Sequence, residues 1–312
     1  MTSILSSRYV PLTCTGHSRP VTDLCFSSRF EDGSYYLISA CKDGAPMLRD
    51  GVTGDWIGTF TGHQGATWSA AFSLDASHSV TASADFSAKV WETTTGKVLN
   101  TFPHKHVVRT AQFIPAQSAP PFVITAGHEK LIRIWDVASS TSNLVMAWQG
   151  SESTIKYSLW IDQSTVVTAG DDKTVTWWDL RTKNHKIESV ILEGPISQLE
   201  VRNGIISIAS GHSVSFFHAG NRRLMQKKAV SYGTSSASLH PFLKKFATGS
   251  STDTWVRIHD LDSGELLDTL KGHHGPVHSL SYSPDGQILS TGGEDGTIRL
   301  WRSEPGPYGL WT

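Results

Sequence analysis

The chain has 312 residues, 38% hydrophobic and 18% charged, so it can build a sizeable core and does not read as disordered. A net charge of -1 excludes a surface that grips nucleic acid all round, while leaving room for a local basic patch. No apolar run approaches the ~18 residues a membrane helix needs, and "MTSILSSRYV" lacks the charged head and apolar stretch of a secretory leader.

In chain order, the first predicted element is a short strand at about 9–15, in "YVPLTCTGH". Next come "VTDLCF" and "LISACKDGAPMLR", with Asp43 in a turn and Arg49 six residues on. Cys14, Cys25 and Cys41 have no C-x-x-C spacing and are expected to be reduced thiols, as in the cytosol or nucleus. "SADFSAKVW" sets Asp85 six residues before Trp91, "AGHEKLIRIW" sets Glu129 before Trp135, and "AGDDKTVTWW" sets Asp172 before Trp178. "ASGHSVSFF" keeps only the frame, with Gly211 and Phe217. "SSTDTWVRIH" pairs Asp253 with His259, and "GGEDGTIRLW" pairs Asp295 with Trp301.

Positions 49, 91, 135, 178, 217, 259 and 301 are therefore equivalent, separated by 42, 44, 43, 39, 42 and 42 residues. A period of about 40–45 residues with G-H and W-D signals marks a WD-repeat propeller. The fold class is all-β, a seven-bladed WD-repeat β-propeller in which the N-terminal strand closes the ring in the last blade. Residues 1–312 read as a single propeller domain, with 302–312 as a tail.

The recurring carboxylate then has a structural task. Ser39, Thr81, Thr125, Thr168, Ser207 and Thr291 each stand four residues before it or its equivalent, and Thr248 stands five before Asp253. His17, His63, His104 and His273 stand about 22–26 residues before it. Folded, these form a chain from tryptophan through hydroxyl and histidine to carboxylate, because a buried donor left unpaired costs about 1–3 kcal/mol. Blade 2 (His63, Thr81, Asp85, Trp91) and blade 7 (His273, Thr291, Asp295, Trp301) are expected to be complete.

Partner sites are expected on the two rims. Five positions after the G-H histidine or its equivalent, each blade is predicted to expose one side chain: Thr22, Trp68, Arg109, Lys156, Ser197, Ser235 and His278. Trp68, Arg109 and Lys156 fall on consecutive blades and suit an acidic segment, tryptophan and arginine being typical hot-spot residues. The opposite rim is predicted to carry a basic patch from "RTKNHK" (Arg181, Lys183, Lys186) and "NRRLMQKK" (Arg222, Arg223, Lys227, Lys228), open to phosphate or an acidic peptide. It has no interleaved aromatic residue for stacking single-stranded RNA, so RNA contact is expected to be weak or indirect. Tyr308 and Trp311 make the tail a candidate docking element, on the propeller or on a partner.

Beyond the repeat, "PLTCTGHSRPVTDLCF", "LISACKDGAPMLRDGVTGDWIGTF", "HKHVVRT", "SASLHP" and "YGLW" resemble the serine-threonine kinase receptor-associated (Unr-interacting) family of WD-repeat proteins. The resemblance covers essentially the whole chain, and "ISACKDGAPMLR" is its most specific part. It implies a non-catalytic scaffold of cytoplasm and nucleus, a monomer within larger complexes. The implied partners are Gemin subunits of the survival-of-motor-neuron complex, which assembles spliceosomal particles, together with Unr and, in animals, receptor-signalling proteins. Glu129 and the basic loops depart from the family pattern. The alternatives are the i subunit of the third translation initiation factor, similar at "GHHGPVHSLSYSPDG", or a propeller that binds RNA directly through the basic patch of blades 4 and 5. An enzyme is disfavoured: there is no G-x-S-x-G, G-x-x-x-x-G-K-[ST] or G-x-G-x-x-G, and no histidine grouping at metal spacing. No catalytic residue, cofactor or metal is assigned.

Overall fold

The computed structural model describes residues 10–115, 122–138 and 143–303. Among these residues there is no helix, and the strands form seven four-stranded antiparallel sheets. From channel to outer wall, blade 1 is Val21–Phe26, Tyr36–Cys41, Met47–Asp50 and Trp56–Thr59. Blade 2 is Thr67–Phe72, His78–Ser83, Ser87–Glu92 and Val98–Pro103, and blade 3 runs from Val108–Phe113 to Asn143–Gln149. Blade 4 runs from Ile155–Trp160 to Lys186–Ile191, blade 5 from Ile196–Arg202 to Leu224–Ala229, and blade 6 from Thr234–Leu239 to Leu266–Lys271.

Blade 7 takes Val277–Tyr282, Ile288–Gly293 and Ile298–Arg302 from the C-terminal end and Leu12–Cys14 from the other. Leu12 pairs with Leu300 and Cys14 with Ile298, which closes the ring. This strand is shorter than the 9–15 expected. Pro11 has no N–H to donate, and the Thr15 carbonyl is taken by the Arg49 guanidinium. Tyr308 and Trp311, at the other end, lie outside the described residues.

The blades pack face to face, so their middle strands are buried on both sides; Ile206, Ile208, Val214 and Phe216 are all under 3% exposed. The apolar clusters span neighbours: Val80, Val90 and Phe102 of blade 2 pack with Val108, Val123 and Trp135 of blade 3. A propeller leaves the inner edge of each innermost strand unpaired, and side chains of a preceding blade cap it here. Ala70 N–H donates to Asp23 (3.2 Å), Ser158 N–H to Thr110 (3.2 Å), Ala237 N–H to Gln198 (2.9 Å) and Leu24 N–H to Ser279 (3.1 Å).

One irregularity recurs in every blade. The ladder between the first and second strands skips a residue between Val21 and Asp23, and again at 67/69, 108/110, 155/157, 196/198, 234/236 and 277/279. The residue thrown out of register is Thr22, Trp68, Arg109, Lys156, Ser197, Ser235 or His278. A β-bulge turns its side chain away from the regular pleat, and seven such bulges aim seven side chains at one end of the channel.

Candidate partner-binding site

The walls of this site are fixed by the polar chains between strands. In blade 2, Trp91 Nε1 donates to Thr81 Oγ1 (2.8 Å), the hydroxyl meets His63 Nε2 (2.7 Å), and His63 Nδ1 donates to Asp85 (2.7 Å). Blade 7 repeats this with Trp301, Thr291, His273 and Asp295 at 2.9, 2.8 and 3.0 Å. Burial opposes ionisation of Asp295, but the His274 and Thr297 amides and the His273 ring hold its carboxyl at about 2. The same kind of balance keeps Asp85 well below the ordinary carboxylate range.

The other blades vary the chain. In blade 1, His17 bridges Ser39 (2.8 Å) and Asp43 (3.0 Å), while Arg49, in the tryptophan place, donates to backbone carbonyls of Thr15 and Gly54. In blade 3 Trp135 donates to Thr125 (2.7 Å), which bonds His104 (3.1 Å). Glu129 is longer than aspartate, and Arg133 inserts: its fork grips Glu129 (2.8 and 2.6 Å) and donates to His104 Nδ1 (2.5 Å). An arginine can only donate, so His104 accepts there as a neutral ring; burial and then the Arg133 charge push it down to about 4.

Blade 4 has Trp178 on Thr168 (2.9 Å), with Ser151 in place of histidine bonding Asp172 (2.8 Å). In blade 6, Asp253 binds Arg257, and a different chain runs from Thr248 through the Tyr232 hydroxyl (2.6 Å) to His259 (2.8 Å). Tyr232 was missed in the sequence because its position does not recur; Arg133 was missed although its position four residues after the turn carboxylate holds Lys89, Arg257 and Arg299 in other blades, and Arg257 pairs with Asp253 in the same way. His17, Cys41 and Asp43 place donor atoms within 4.8 Å of one another. Hydrogen bonds account for that grouping: both His17 nitrogens are engaged, and Cys41 donates to the Arg19 carbonyl (3.0 Å), burial pushing its thiol up to about 12.

Within these walls the seven bulge residues line one funnel of about 950 Å³ at the channel mouth, together with Lys42, Tyr157, Glu193, His212 and Lys227. The expectation that each is exposed is corrected: all seven are buried or half-buried. Four of them stitch blades together. Thr22 bonds the Thr67 carbonyl (2.7 Å), Lys156 the Ile196 carbonyl (3.4 Å), Ser197 the Thr234 carbonyl (2.8 Å) and Ser235 the Val277 carbonyl. Lys156 is also paired with Asp171 (2.6 Å), and His278 with Glu294. Trp68 and Arg109 remain. The Arg109 guanidinium lies 3.8 Å from the centre of the Trp68 ring, with Lys42 at 6.0 Å.

Beside them, exposed Phe86 packs against His106 (5.7 Å), which stacks on His128 (4.9 Å). Phe86 holds φ = 66° in the turn position where Asp43 and Asp295 are followed by Gly44 and Gly296. A bulky side chain there is strained, and the phenylalanine in "ADFS" was the sequence signal for it.

The opposite rim also differs from expectation. Arg181 is paired with Asp179 (2.8 Å) and Arg222 with Glu188 (3.2 Å), so acidic neighbours break up the positive patch. Lys227 belongs elsewhere: it climbs the outer strand of blade 5 and meets Glu193 (2.6 Å) at the funnel. Lys183 and Arg223 are exposed in the two turns.

The family pattern described as "WD domain, G-beta repeat" matches residues 9–47, 54–92 and 264–302. The chain is 42% identical to a serine-threonine kinase receptor-associated protein of Rattus norvegicus, over 98% of this chain and 87% of that one. It is 40% identical to the Dictyostelium discoideum protein of that name, over 94% of this chain and 98% of the other. The chain belongs to the serine-threonine kinase receptor-associated protein family. An initiation factor 3 subunit I of Bombyx mori is more distant, at 26% over 93% of this chain and 94% of that one. The WD pattern catches three segments of this family member for a physical reason. Each of them contains a histidine bonded to its turn aspartate (His17, His63, His273), whereas blade 3 keeps His104 but has Glu129 for the aspartate, and blades 4 to 6 lack the pair.

Proposed function

We propose that this protein is a non-catalytic scaffold of the survival-of-motor-neuron assembly, working in spliceosomal particle assembly and mRNA processing in cytoplasm and nucleus. Its partners on this reading are Gemin subunits and Unr, with receptor-signalling proteins added in animals. The observation that carries the reading is 42% identity over 98% of the chain to proteins whose name describes association with a receptor. The site's chemistry agrees with it. The buried histidine–carboxylate pairs are consumed in bracing blades, and the wide funnel offers a hot-spot pair, Trp68 and Arg109, rather than a nucleophile with its base.

The test is affinity purification of the tagged full chain from its own cells, followed by mass spectrometry. Survival-of-motor-neuron, Gemin and Unr proteins are the expected companions; recovery of initiation-factor subunits instead would overturn the assignment. Trp68→Ala with Arg109→Ala is expected to keep the fold and lose those companions. Asp85→Ala is expected to act through the fold, lowering stability by about 2 kcal/mol in urea denaturation as the His63 ring and the Gln64 and Ser87 amides lose their acceptor.

A further inference from the structure

We propose that Arg109, clamped on Trp68 at the funnel mouth, is the receptor for a carboxylate of an acidic peptide segment, with Lys42 as the second cation. The proposal rests on the scaffold reading and names the chemistry of the partner at one point of it.

Arg109 differs from its counterparts. Among the described arginines that are buried or half-buried, Arg49, Arg133, Arg202, Arg222, Arg257 and Arg299 each donate to a carbonyl, hydroxyl or carboxylate. Arg109 donates to none, and its Nε and the Trp68 Nε1 are both buried without an acceptor. A desolvated guanidinium that the protein leaves unpaired is costly unless an anion completes it. Stacking at 3.8 Å fixes the plane of its fork, so little side-chain freedom remains to be lost on binding.

The surrounding charges select for an anion from outside. Asp171 is held by Lys156, Glu193 by Lys227 and Glu294 by His278. The hydroxyl of Tyr157, on the next blade, is committed to the Ser197 carbonyl. His128, on the neighbouring turn of blade 3, adds no acceptor charge. The three carboxylates at the rim of the mouth are thus each paired, and Asp23, deeper in the channel wall, is taken by the Leu24 and Ala70 amides, while Arg109, which Asp171 reaches only at longer range, and Lys42 form no salt bridge among the described residues.

The shape favours a peptide over a nucleic acid. The funnel is a concavity of about 950 Å³ with apolar wall from Pro195 and Ile196, suited to an extended segment. A stacking platform for bases is not offered by Trp68, whose ring is already covered by the guanidinium.

The experiment titrates the full-length protein with a fluorescein-labelled (Gly-Glu)5 decapeptide at low salt, reading anisotropy. A (Gly-Gln)5 peptide and a ten-nucleotide oligouridylate serve as comparisons. Binding of the glutamate peptide is expected, with at least roughly tenfold loss in Arg109→Gln, partial loss in Arg109→Lys and no change in Arg222→Gln with Arg223→Gln. Lys42→Gln, on a separate turn, is expected to weaken binding too, and it carries the test if Arg109→Gln does not fold. Equal affinity of the parent and the folded variants overturns the proposal. So does tighter binding of the oligouridylate with the same dependence on Arg109. No partner protein enters this titration, so its failure leaves the scaffold reading standing, and the reverse also holds.

Discussion

Asp23 projects from the innermost strand of blade 1 into the channel wall, where its carboxylate accepts the amides of Leu24 (3.0 Å) and Ala70 (3.2 Å). Burial outweighs these bonds and lifts its carboxyl from 3.8 to about 7. The sign follows from linkage. A group that holds its proton more tightly when folded makes the folded state lose stability as pH rises from about 4 to about 7. Leu24 and Ala70 bond different oxygens of Asp23, so Asp23→Asn keeps an acceptor for one of the two amides and removes the titration. The variant is expected to gain on the parent between pH 5 and 8 by on the order of 2 kcal/mol, less than the full shift because solvent reaches the channel. Urea midpoints across that range check this; parallel profiles would mean that Asp23 is ionised throughout. The blade braces, by contrast, were readable beforehand, because tryptophan, hydroxyl, histidine and carboxylate recur at fixed spacings. Asp23 was not, since the equivalent positions hold Ser69, Thr110, Tyr157, Gln198, Ser236 and Ser279 and no second carboxylate recurs there.

At the scale of the element, strand order and ring closure were legible from the period and from the match of "YVPLTCTGH" to later outer strands. The bulges were not. A one-residue slip leaves no mark in the sequence, so the rim side chains were placed correctly around the ring but taken as exposed. The ion pairs of Lys156 and His278 were also hidden, because Asp171 and Glu294 reach them from the turns after Thr165–Gly170 and Ile288–Gly293. The closing strand permits a direct test. Leu12–Cys14 covers the Ile298–Arg302 edge, and Cys14 packs with Val21, Leu37, Ile298 and Leu300 in one cluster. Deleting residues 1–15 uncovers that edge and opens the cluster. The truncated protein is expected to aggregate during thermal unfolding and to melt about 10 °C or more below the parent, as loss of a few kcal/mol implies. Light scattering with calorimetry measures both, and an unchanged melting temperature would show that closure contributes little.

For the whole molecule, the ring is unevenly braced, and the uneven sector is blade 5 rather than the closure in blade 7. Phe217 stands where four other blades place tryptophan, Ser207 presents a buried hydroxyl without a partner, and no histidine–aspartate pair reaches the turn. The turn is cut to Gly211 and His212, with Gly211 at φ = 54°, where glycine is at ease. A groove of about 550 Å³ separates the blade from blade 4, spanned at its edge by the exposed Glu188–Arg222 and Glu193–Lys227 pairs. Exposed pairs of this kind are worth only about 0–1 kcal/mol each, whereas the braces of blades 2 and 7 are buried. Local opening is governed by such differences, since segments with fewer buried contacts exchange through smaller fluctuations. Amide exchange followed by mass spectrometry is therefore expected to be faster across residues 205–218 than across 78–92 or 288–301. The contrast should grow as salt weakens the two surface pairs. Equal protection of the three segments would mean that apolar packing alone holds the ring and that the polar chains add nothing to it.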